Sequence, residues 1–372
     1  MNVALFFTYD MSLQKWNDLN ILEREVKLYN KISNNDIKFT FVTYGTKSDH
    51  KFSNKLENID IYPIYDDIKK HKNKLLRFLY SLIIPFKIKK EFHHIDILKT
   101  NQLMGSWIPV MLKFLLRKKL IIRTGYDIFY FSIKEKKNII KIFFYFLLTQ
   151  ISLLSSDKYI VTSSSDYKFL RKWFFLSKSK LSIIQNYVEN LSSLNSEIRE
   201  DEKIIAVGRL EKQKNYKKII NFVSNSNFEL HIFGNGSMEF ELNKYVDSND
   251  IKNIKFLGGL THNDLLNTYS KYKFYIILSD FEGNPKTLIE AMSRGCIPIV
   301  SNISHLTEVI KDEFNGLILK NKNISIKDFF NLKKIDEEKM NMLSKNAFQY
   351  ANKNFSLESI VKKEIKLYES LI

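Results

Sequence analysis

The stretch Asp280–Pro298, DFEGNPKTLIEAMSRGCIP, decides the fold. An apolar run, Phe274–Leu278, leads into it and predicts a buried strand. A glycine, an asparagine and a proline then make a turn, and the next residues predict a helix from about Lys286 to Ser293, which Gly295 is placed to end. Strand, turn and helix in this order form the repeating unit of a parallel α/β sheet.

Two glutamates frame this turn. Glu282 precedes it, and Glu290 lies eight positions later, two turns into the predicted helix. Ligands of doubly wound sheets bind beyond the carboxyl ends of the strands, where helix N-termini offer free N–H groups. Both carboxylates can point into one crevice there, so the spacing predicts a binding site.

Outward from this stretch, short apolar runs alternate with longer segments of helical period. The clear strand candidates are Val3–Phe7, Phe39–Thr43, Ile95–Lys99, Leu120–Arg123, Tyr159–Thr162, Ile204–Val207, Leu230–Phe233, Phe274–Leu278 and Ile297–Val300. Continuous apolar runs are typical of parallel strands that are covered on both faces. Two such series, on either side of about residue 190, predict two Rossmann-like domains. The polar segment Glu189–Glu202 is the predicted linker.

The glutamate stretch resembles the E-x7-E signature of the family 4 retaining glycosyltransferases, and EGNPKTLIEAMSRGCIPIVS is similar to that signature over its whole length. The resemblance implies that Glu282 contacts the transferred sugar and that Glu290 holds the ribose hydroxyls of the nucleotide. It further implies that the turn binds the phosphate or sugar of the donor, through Gly283, Asn284, Pro285, Lys286 and Thr287.

A second stretch, IIAVGRLEKQKN at Ile204–Asn215, resembles the G-R-L…K motif of the same family. The resemblance implies that Arg209 and Lys214, next to Gly208, hold the donor diphosphate. Charge grows on this leaving group as the glycosidic bond breaks, and preformed cations stabilise it without reorganisation. The later segment FGNGS, with Gly234 and Gly236, is similar to the family's glycine-rich turn.

The resemblance covers nearly the whole chain and implies the GT-B fold. That fold is α/β, with two Rossmann-like doubly wound domains that face a cleft. The expected domains are an acceptor-binding domain at 1–188, completed by a C-terminal helix at 356–372 that crosses back to it, and a donor-binding domain at 189–355. Ser356 is the predicted N-cap of that helix. The expected acceptor-side residues are Asp10, Asn20, Asn101, Tyr126 and Asp127.

The expected activity is retaining transfer of a sugar from a UDP- or GDP-linked donor to a glycan or lipid-linked acceptor in the biosynthesis of a surface polysaccharide, lipopolysaccharide or capsule. The chain has no D-x-D motif, so we expect neither a metal nor another cofactor. Two alternatives stay open at this point. A nonhydrolysing sugar-nucleotide epimerase shares the fold, and a nucleic-acid-binding protein would also explain the net charge of +17.

The positive charge is uneven. Residues 1–200 carry 33 Lys and Arg against 19 Asp and Glu, whereas residues 201–372 carry 25 against 22. Within the basic half, Leu75–Lys90 mixes apolar residues with cations, which is typical either of a segment in a membrane interface or of an ordinary amphipathic helix. Ile139–Leu154 is too short to span a bilayer and predicts a helix that covers the first sheet. With Cys296 as the only cysteine, we expect a cytoplasmic protein, peripheral at the inner face of the cell membrane.

Overall fold

The structure, a computed structural model, describes residues 1–174, 180–189, 199–320 and 324–372. The chain divides into two units, Met1–Ile184 with Val361–Ile372 and Gln185–Ile360. The sequence placed this division between residues 188 and 189. Most of the predicted linker, residues 190–198, lies outside the described part of the chain.

The first unit contains a seven-stranded parallel sheet with the order β3-β2-β1-β4-β5-β6-β7. The strands are β1 Asn2–Phe6, β2 Lys38–Thr43, β3 Ile59–Pro63, β4 Ile97–Thr100, β5 Lys119–Arg123, β6 Lys158–Val161 and β7 Leu181–Ile183. Its helices are α1 Leu13–Asp18, α2 Leu22–Ser33, α3 Ile64–Asp67, α4 Lys74–Ser81, α5 Ile84–Ile88, α6 Trp107–Leu116, α7 Ile128–Lys134, α8 Ile139–Ser155 and α9 Ser164–Trp173, with 3-10 helices at Lys47–Lys55 and Lys89–Phe92. The central strands are almost fully buried, as continuous apolar runs require.

The second unit contains a six-stranded parallel sheet with the order β10-β9-β8-β11-β12-β13. Its strands are β8 Glu200–Val207, β9 Glu229–Phe233, β10 Ile254–Phe256, β11 Tyr272–Ile277, β12 Ile297–Ser301 and β13 Leu317–Leu319. Its helices are α10 Tyr216–Val223, α11 Glu239–Ser248, α12 His262–Tyr269, α13 Lys286–Ser293, α14 Ser304–Thr307, α15 Ile326–Lys333 and α16 Glu337–Asn354, with a 3-10 turn at Lys212–Lys214. The helix predicted over Lys286–Ser293 is confirmed, and Gly295 follows it with a φ of 79°.

The predicted linker is wrong at its C-terminal end. The sequence extended it to Glu202, but β8 begins at Glu200 and pairs there with Tyr272 of β11. The hydrogen bonds between parallel strands join main-chain groups and do not depend on the polarity of the side chains. Charged residues can therefore begin a strand whose later residues are apolar and buried.

The last helix, α17 (Leu357–Glu369), completes the first unit, as predicted, through its residues from Val361 onward. Ser356 caps it by accepting a hydrogen bond from the Ser359 amide at 3.1 Å. Inside the first unit, the fully buried Glu364 accepts from Lys99 Nζ at 2.6 Å and from Arg123 at 2.8 Å. Burial lowers the pKa of Lys99 to about 8, against the opposing effect of Glu364. This charged contact therefore holds the end of the chain on the sheet.

The helices α4, α6 and α8 of the first unit carry apolar side chains on their outer faces. On α8 the inner face is buried, as predicted, and it includes Leu148 and Leu153. Its outer face exposes Ile139, Ile140, Phe143, Leu147, Ile151 and Leu154, and the segment Leu75–Phe86 exposes Leu75, Leu76, Leu79, Leu82, Ile83 and Phe86. In the described ranges, no helix combines the length and apolarity needed to cross a bilayer.

Candidate functional site

The residues of the glutamate signature lie at the carboxyl end of β11. Glu282 is buried with 4% of its surface exposed, and its Oε1 accepts from Lys214 Nζ and from Ser279 Oγ, each at 2.6 Å. The Asp280 amide also donates to the Gln213 carbonyl at 3.0 Å, which holds the two loops together. The predicted sugar-contacting glutamate and one predicted diphosphate cation therefore form a preorganised ion pair.

The second glutamate, Glu290, lies two turns into α13 with 2% of its surface exposed. Its Oε1 lies 3.2 Å from Nε2 of His262, the first residue of α12, and the Nδ1 of that imidazole is buried. On the adjoining strand, the Tyr275 hydroxyl and Thr287 Oγ1 are 2.9 Å apart. Burial raises the pKa of Tyr275 well above its ordinary value, although the Thr287 contact opposes this, so the phenol stays neutral. The carboxylate is thus held on a rigid helix.

The glycine-rich turns bring three strand ends into close main-chain contact. Gly234, which follows β9, has a φ of 136°, and a Cβ there would lie 2.1 Å from the Gly208 carbonyl oxygen. The Gly234 amide donates to the Gly258 carbonyl at 2.8 Å, and a Cβ at Gly236 would lie 2.5 Å from the Leu210 carbonyl oxygen. Only glycine permits such an approach of two main chains. These predicted donor-site glycines therefore shape the edge of the sheet.

The turn between Glu282 and α13 is fixed by a neighbouring segment. The Asn284 carbonyl accepts from Asn186 Nδ2 at 2.7 Å, and Lys286 Nζ lies 5.6 Å above the ring of Tyr187. Gly283, Asn284 and Pro285 are all buried. Asn284 Oδ1 is buried and makes no hydrogen bond within the described part of the chain, so this oxygen can accept one from a ligand.

Arg209 differs from the other predicted donor-site residues because its side chain is exposed. Lys214 is largely buried, with 14% of its side chain exposed, and is committed to Glu282. The two predicted diphosphate cations are therefore unlike each other, since one is held in an ion pair and the other extends into solvent.

The sequence did not predict two residues that contact the glutamates, Ser279 and His262. Ser279 directly precedes the signature, and His262 follows the Gly258-Gly259 segment, but neither has a spacing that points to the glutamates.

The predicted acceptor-side residues lie in the first unit and have different environments. Asp10 and Asn20 both have left-handed backbones, with φ of 64° and 55°. Tyr126 is 43% exposed and packs on Phe131. Asp127 is fully buried and caps α7 by accepting from the Tyr130 amide at 2.7 Å, which is a structural contact.

Asn101 continues the main-chain ladder just after β4, with its amide donating to the Phe6 carbonyl at 2.9 Å. No cluster of three or more His, Cys, Asp or Glu side chains suited to a metal ion occurs among the described residues. Cys296 is buried, and burial raises the pKa of its thiol to about 12.

Comparisons with known proteins show which proteins this chain resembles. Residues 190–350 match the family model "Glycosyl transferases group 1". The chain is 26% identical to the UDP-Gal:alpha-D-GlcNAc-diphosphoundecaprenol alpha-1,3-galactosyltransferase of Escherichia coli, over 80% of this chain and 81% of that protein. It is also 26% identical to the capsular polysaccharide biosynthesis glycosyltransferase CapH of Staphylococcus aureus, over 75% and 77%.

Among solved structures, the whole chain superposes on the whole of Anabaena HepE in complex with UDP and glucose, with a TM-score of 0.77 and 14% identity. At this identity the match shows the fold alone. The predicted GT-B fold, two parallel α/β domains with a last helix that returns to the first domain, is confirmed.

Proposed function

We propose that this chain, whose residues 190–350 match the family model "Glycosyl transferases group 1", is a glycosyltransferase that uses a nucleoside diphosphate sugar as donor. In this proposal it transfers the sugar to a lipid-linked glycan with retention of the anomeric configuration. The observation that carries the donor assignment is a pair of buried carboxylates, one after β11 and one on α13, each in contact with a neighbouring side chain. Glu282 contacts Lys214 at 2.6 Å and Glu290 lies 3.2 Å from His262.

In the proposed reaction the bond between the sugar and the diphosphate breaks first. Negative charge then grows on the departing diphosphate, and Arg209 and Lys214 stabilise it by electrostatic attraction. Glu282 contacts the sugar as it takes on oxocarbenium character, and Glu290 binds the ribose hydroxyls. The acceptor oxygen bonds to the anomeric carbon on the face from which the diphosphate departs, and the departing phosphate accepts the proton of that hydroxyl. Because the new bond replaces the old one on the same face, the configuration is retained. This chemistry needs no metal ion.

Two findings support a lipid-linked acceptor in surface polysaccharide biosynthesis. The Escherichia coli relative is named for a diphosphoundecaprenol-linked sugar, and the Staphylococcus aureus relative for capsular polysaccharide. The apolar outer faces of α4 and α8, beside the lysines of the segment 69–90, fit a surface that enters a membrane interface. On this proposal the protein works at the inner face of the cell membrane. The uneven charge then reflects the membrane and not a nucleic acid.

The donor assignment is tested by a panel of UDP-, GDP- and other nucleotide-linked sugars in a thermal stabilisation assay, followed by NMR of the product. A bound ligand stabilises the folded state by RT ln(1 + [L]/Kd). We expect one nucleotide to raise the unfolding temperature and the product to retain the donor configuration. A protein that no nucleotide sugar stabilises would contradict the donor site, and an inverted product would contradict the mechanism.

The membrane assignment is tested by flotation with vesicles. We expect binding to vesicles with anionic lipid at low salt, because each cation near such a surface contributes about 1 kcal/mol. High salt should weaken this binding and leave an apolar component from the exposed leucines, isoleucines and phenylalanines. If the protein stays in solution with anionic vesicles at low salt, the membrane assignment is wrong, while the glycosyltransferase activity is unaffected.

A further inference from the structure

The carboxyl ends of β1, β2 and β3 carry a group of tyrosines that the proposed function does not use. Tyr9, Tyr44 and Tyr65 follow these three neighbouring strands, and their rings form a chain with centroids 5.1 Å and 6.2 Å apart. Each hydroxyl oxygen is buried without a hydrogen-bond partner among the residues that the structure describes. Buried polar atoms normally find a partner, so three neighbouring exceptions at the ligand-binding edge of a sheet indicate an external one.

These phenols are neutral donors. Burial raises the pKa of Tyr9 and of Tyr65 above the ordinary value, and it raises the pKa of Tyr44 further still. The left-handed Gly105, with a φ of 98°, adjoins the group, and a Cβ there would lie 3.0 Å from the Tyr44 hydroxyl. The group therefore contains closely packed hydroxyl donors that carry no charge of their own.

Cations surround the same place. Asp10, directly after Tyr9, has Arg77 Nη2 at 3.1 Å, Lys70 Nζ at 3.4 Å and Lys15 Nζ at 3.6 Å from its carboxylate oxygens. Lys70 also lies 5.1 Å above the Tyr65 ring. The Nε of Arg77 is buried and makes no hydrogen bond within the described ranges. Three cations around one carboxylate leave a net charge of about +2 at neutral pH. The site therefore attracts a compact dianion.

The helix that supplies Arg77 also supplies an apolar surface. On α4 the Arg77 side chain is 13% exposed and points inward, whereas Leu75, Leu76 and Leu79 are between 50% and 66% exposed. A ligand bound to the inner side of this helix can therefore place an apolar chain along its outer side. A lipid whose head is a diphosphate diester has this combination, since the diester carries two negative charges joined to a hydrocarbon.

We propose that Lys15, Lys70, Arg77 and the hydroxyls of Tyr9, Tyr44 and Tyr65 form the binding site for the diphosphate of a lipid-linked acceptor, with the lipid chain on the exposed leucines of α4. This inference rests on the proposed function and identifies the acceptor contacts in the first unit. Asp10 orients the three cations and keeps them in place before the ligand arrives. The hydroxyls donate to phosphate oxygens or to the sugar attached to them.

The first experiment compares two double variants of the full chain. Lys15→Ala with Lys70→Ala removes two cations of the site, and Lys69→Ala with Lys72→Ala removes two exposed lysines of the same half, so both lose the same charge. Binding is measured calorimetrically to farnesyl diphosphate in neutral detergent micelles, to inorganic pyrophosphate, and to phosphatidylglycerol vesicles. We expect the first variant to lose at least about tenfold in affinity for farnesyl diphosphate and pyrophosphate, as is usual for lost charged hydrogen bonds. For these two ligands the control should change by less than about twofold, as exposed charges do.

Equal losses in the two variants would overturn the site and would mean that general surface charge binds the phosphate. A loss confined to phosphatidylglycerol vesicles would overturn it too, since the cations would then recognise membrane headgroups. The proposed function fails separately. If the wild type binds farnesyl diphosphate in the expected way but no nucleotide sugar stabilises it, the acceptor site stands and the glycosyl transfer does not.

Tyr65→Phe provides a second test, because it removes an unpartnered hydroxyl and keeps the ring. We expect an unchanged or higher unfolding temperature, since no internal hydrogen bond is lost, together with weaker binding of farnesyl diphosphate by about fivefold to tenfold. A variant that unfolds at a lower temperature and binds as well as the wild type would show that the hydroxyl has an internal role and would overturn its place in the site.

Discussion

The carboxyl edges of the two sheets differ in how their polar groups are satisfied. In the second unit, Glu282 and Glu290 already contact Lys214 and His262. In the first unit, Tyr9, Tyr44 and Tyr65 are buried with no hydrogen-bond partner in the described part of the chain. The contacts of the second unit fix charged groups before a ligand binds. The first unit instead has neutral hydroxyls whose hydrogen bonds a ligand would supply. In the functions proposed above, one edge serves electrostatic stabilisation of a reaction and the other serves recognition of the acceptor.

The two sheet edges also differ in how their polar residues are distributed along the sequence. The groups of the second edge come mainly from two short motifs, whereas those of the first come from the ends of three separate strands and from α4. A motif can be found by its spacing, but a pocket assembled from distant strand ends cannot. Site residues found by resemblance therefore concentrate in one unit, and this concentration does not mean that the other unit lacks a site.

The largest expected effect concerns the stability of the first unit. Glu364→Ala leaves Lys99 and Arg123 as buried cations without their carboxylate, which costs about 3–5 kcal/mol. All three tryptophans, Trp16, Trp107 and Trp173, lie in this unit, so their fluorescence during denaturation reports its unfolding. The exposed Glu369→Ala on the same helix is the control and should change stability by less than about 0.5 kcal/mol. Equal effects of the two changes would contradict the importance of the buried contact.

The same contact predicts a dependence on pH. Burial opposes the ionisation of Glu364, but Lys99 and Arg123 outweigh it, and the pKa falls below the ordinary 4.5. The stability that this carboxylate contributes is therefore complete above the unfolded value of 4.5, and it is lost as the pH falls through the lower folded value. Denaturation of Glu364→Gln across acidic pH should show a flatter profile than the wild type. Parallel profiles would exclude this carboxylate as the cause.

The next effect tests the second edge as a catalytic site. We expect Glu290→Ala and Arg209→Ala each to lower kcat/KM for the donor by about a hundredfold or more, the usual cost of a lost electrostatic contact at a transition state. Arg209 is exposed, so its change should leave the unfolding temperature nearly unaltered. Exposed Lys212→Ala, two residues from Lys214, serves as the matched loss of charge. Near-normal turnover of Glu290→Ala or of Arg209→Ala would contradict the assignment of these residues to the donor site.

A smaller effect is expected at His262, which we expect to position Glu290. His262→Ala removes the group that lies 3.2 Å from Glu290, and we expect about a tenfold rise in KM for the donor with a smaller change in kcat. Gln can replace the Nε2 donor and Asn cannot reach as far, so His262→Gln should recover more affinity than His262→Asn. Equal behaviour of the Gln and Asn variants would show that the imidazole only fills space.

The last prediction is that removing metal ions does not change the rate of transfer. Because two cations are proposed to stabilise the leaving diphosphate, treatment with EDTA should leave the initial rate within about twofold of the untreated enzyme. A metal-dependent glycosyltransferase treated in parallel shows that the chelator is effective. Loss of activity that magnesium or manganese restores would replace the cationic mechanism with metal-ion catalysis.

The strands that the sequence failed to predict are the four sheet edges, β3, β7, β10 and β13. Central strands are buried on both faces and show continuous apolar runs, but an edge strand is short or partly exposed. Ile254–Phe256, for example, has three residues and an exposed Lys255 in the middle. Glu282 and Glu290 could be proposed as site residues from their spacing and from the family resemblance. His262 and the tyrosine group were not, because their contacts join elements that only the tertiary fold brings together.

The contact of α17 with the first sheet has a consequence for biosynthesis. Lys99 and Glu364 are 265 positions apart, so the ribosome, at about 5–20 residues per second, needs roughly 13–53 s to supply the carboxylate after the lysine. Until then the sheet made first contains two cations whose buried partner does not yet exist. The first unit, which includes Val361–Ile372, is consequently completed only after the residues of the second unit have been synthesised.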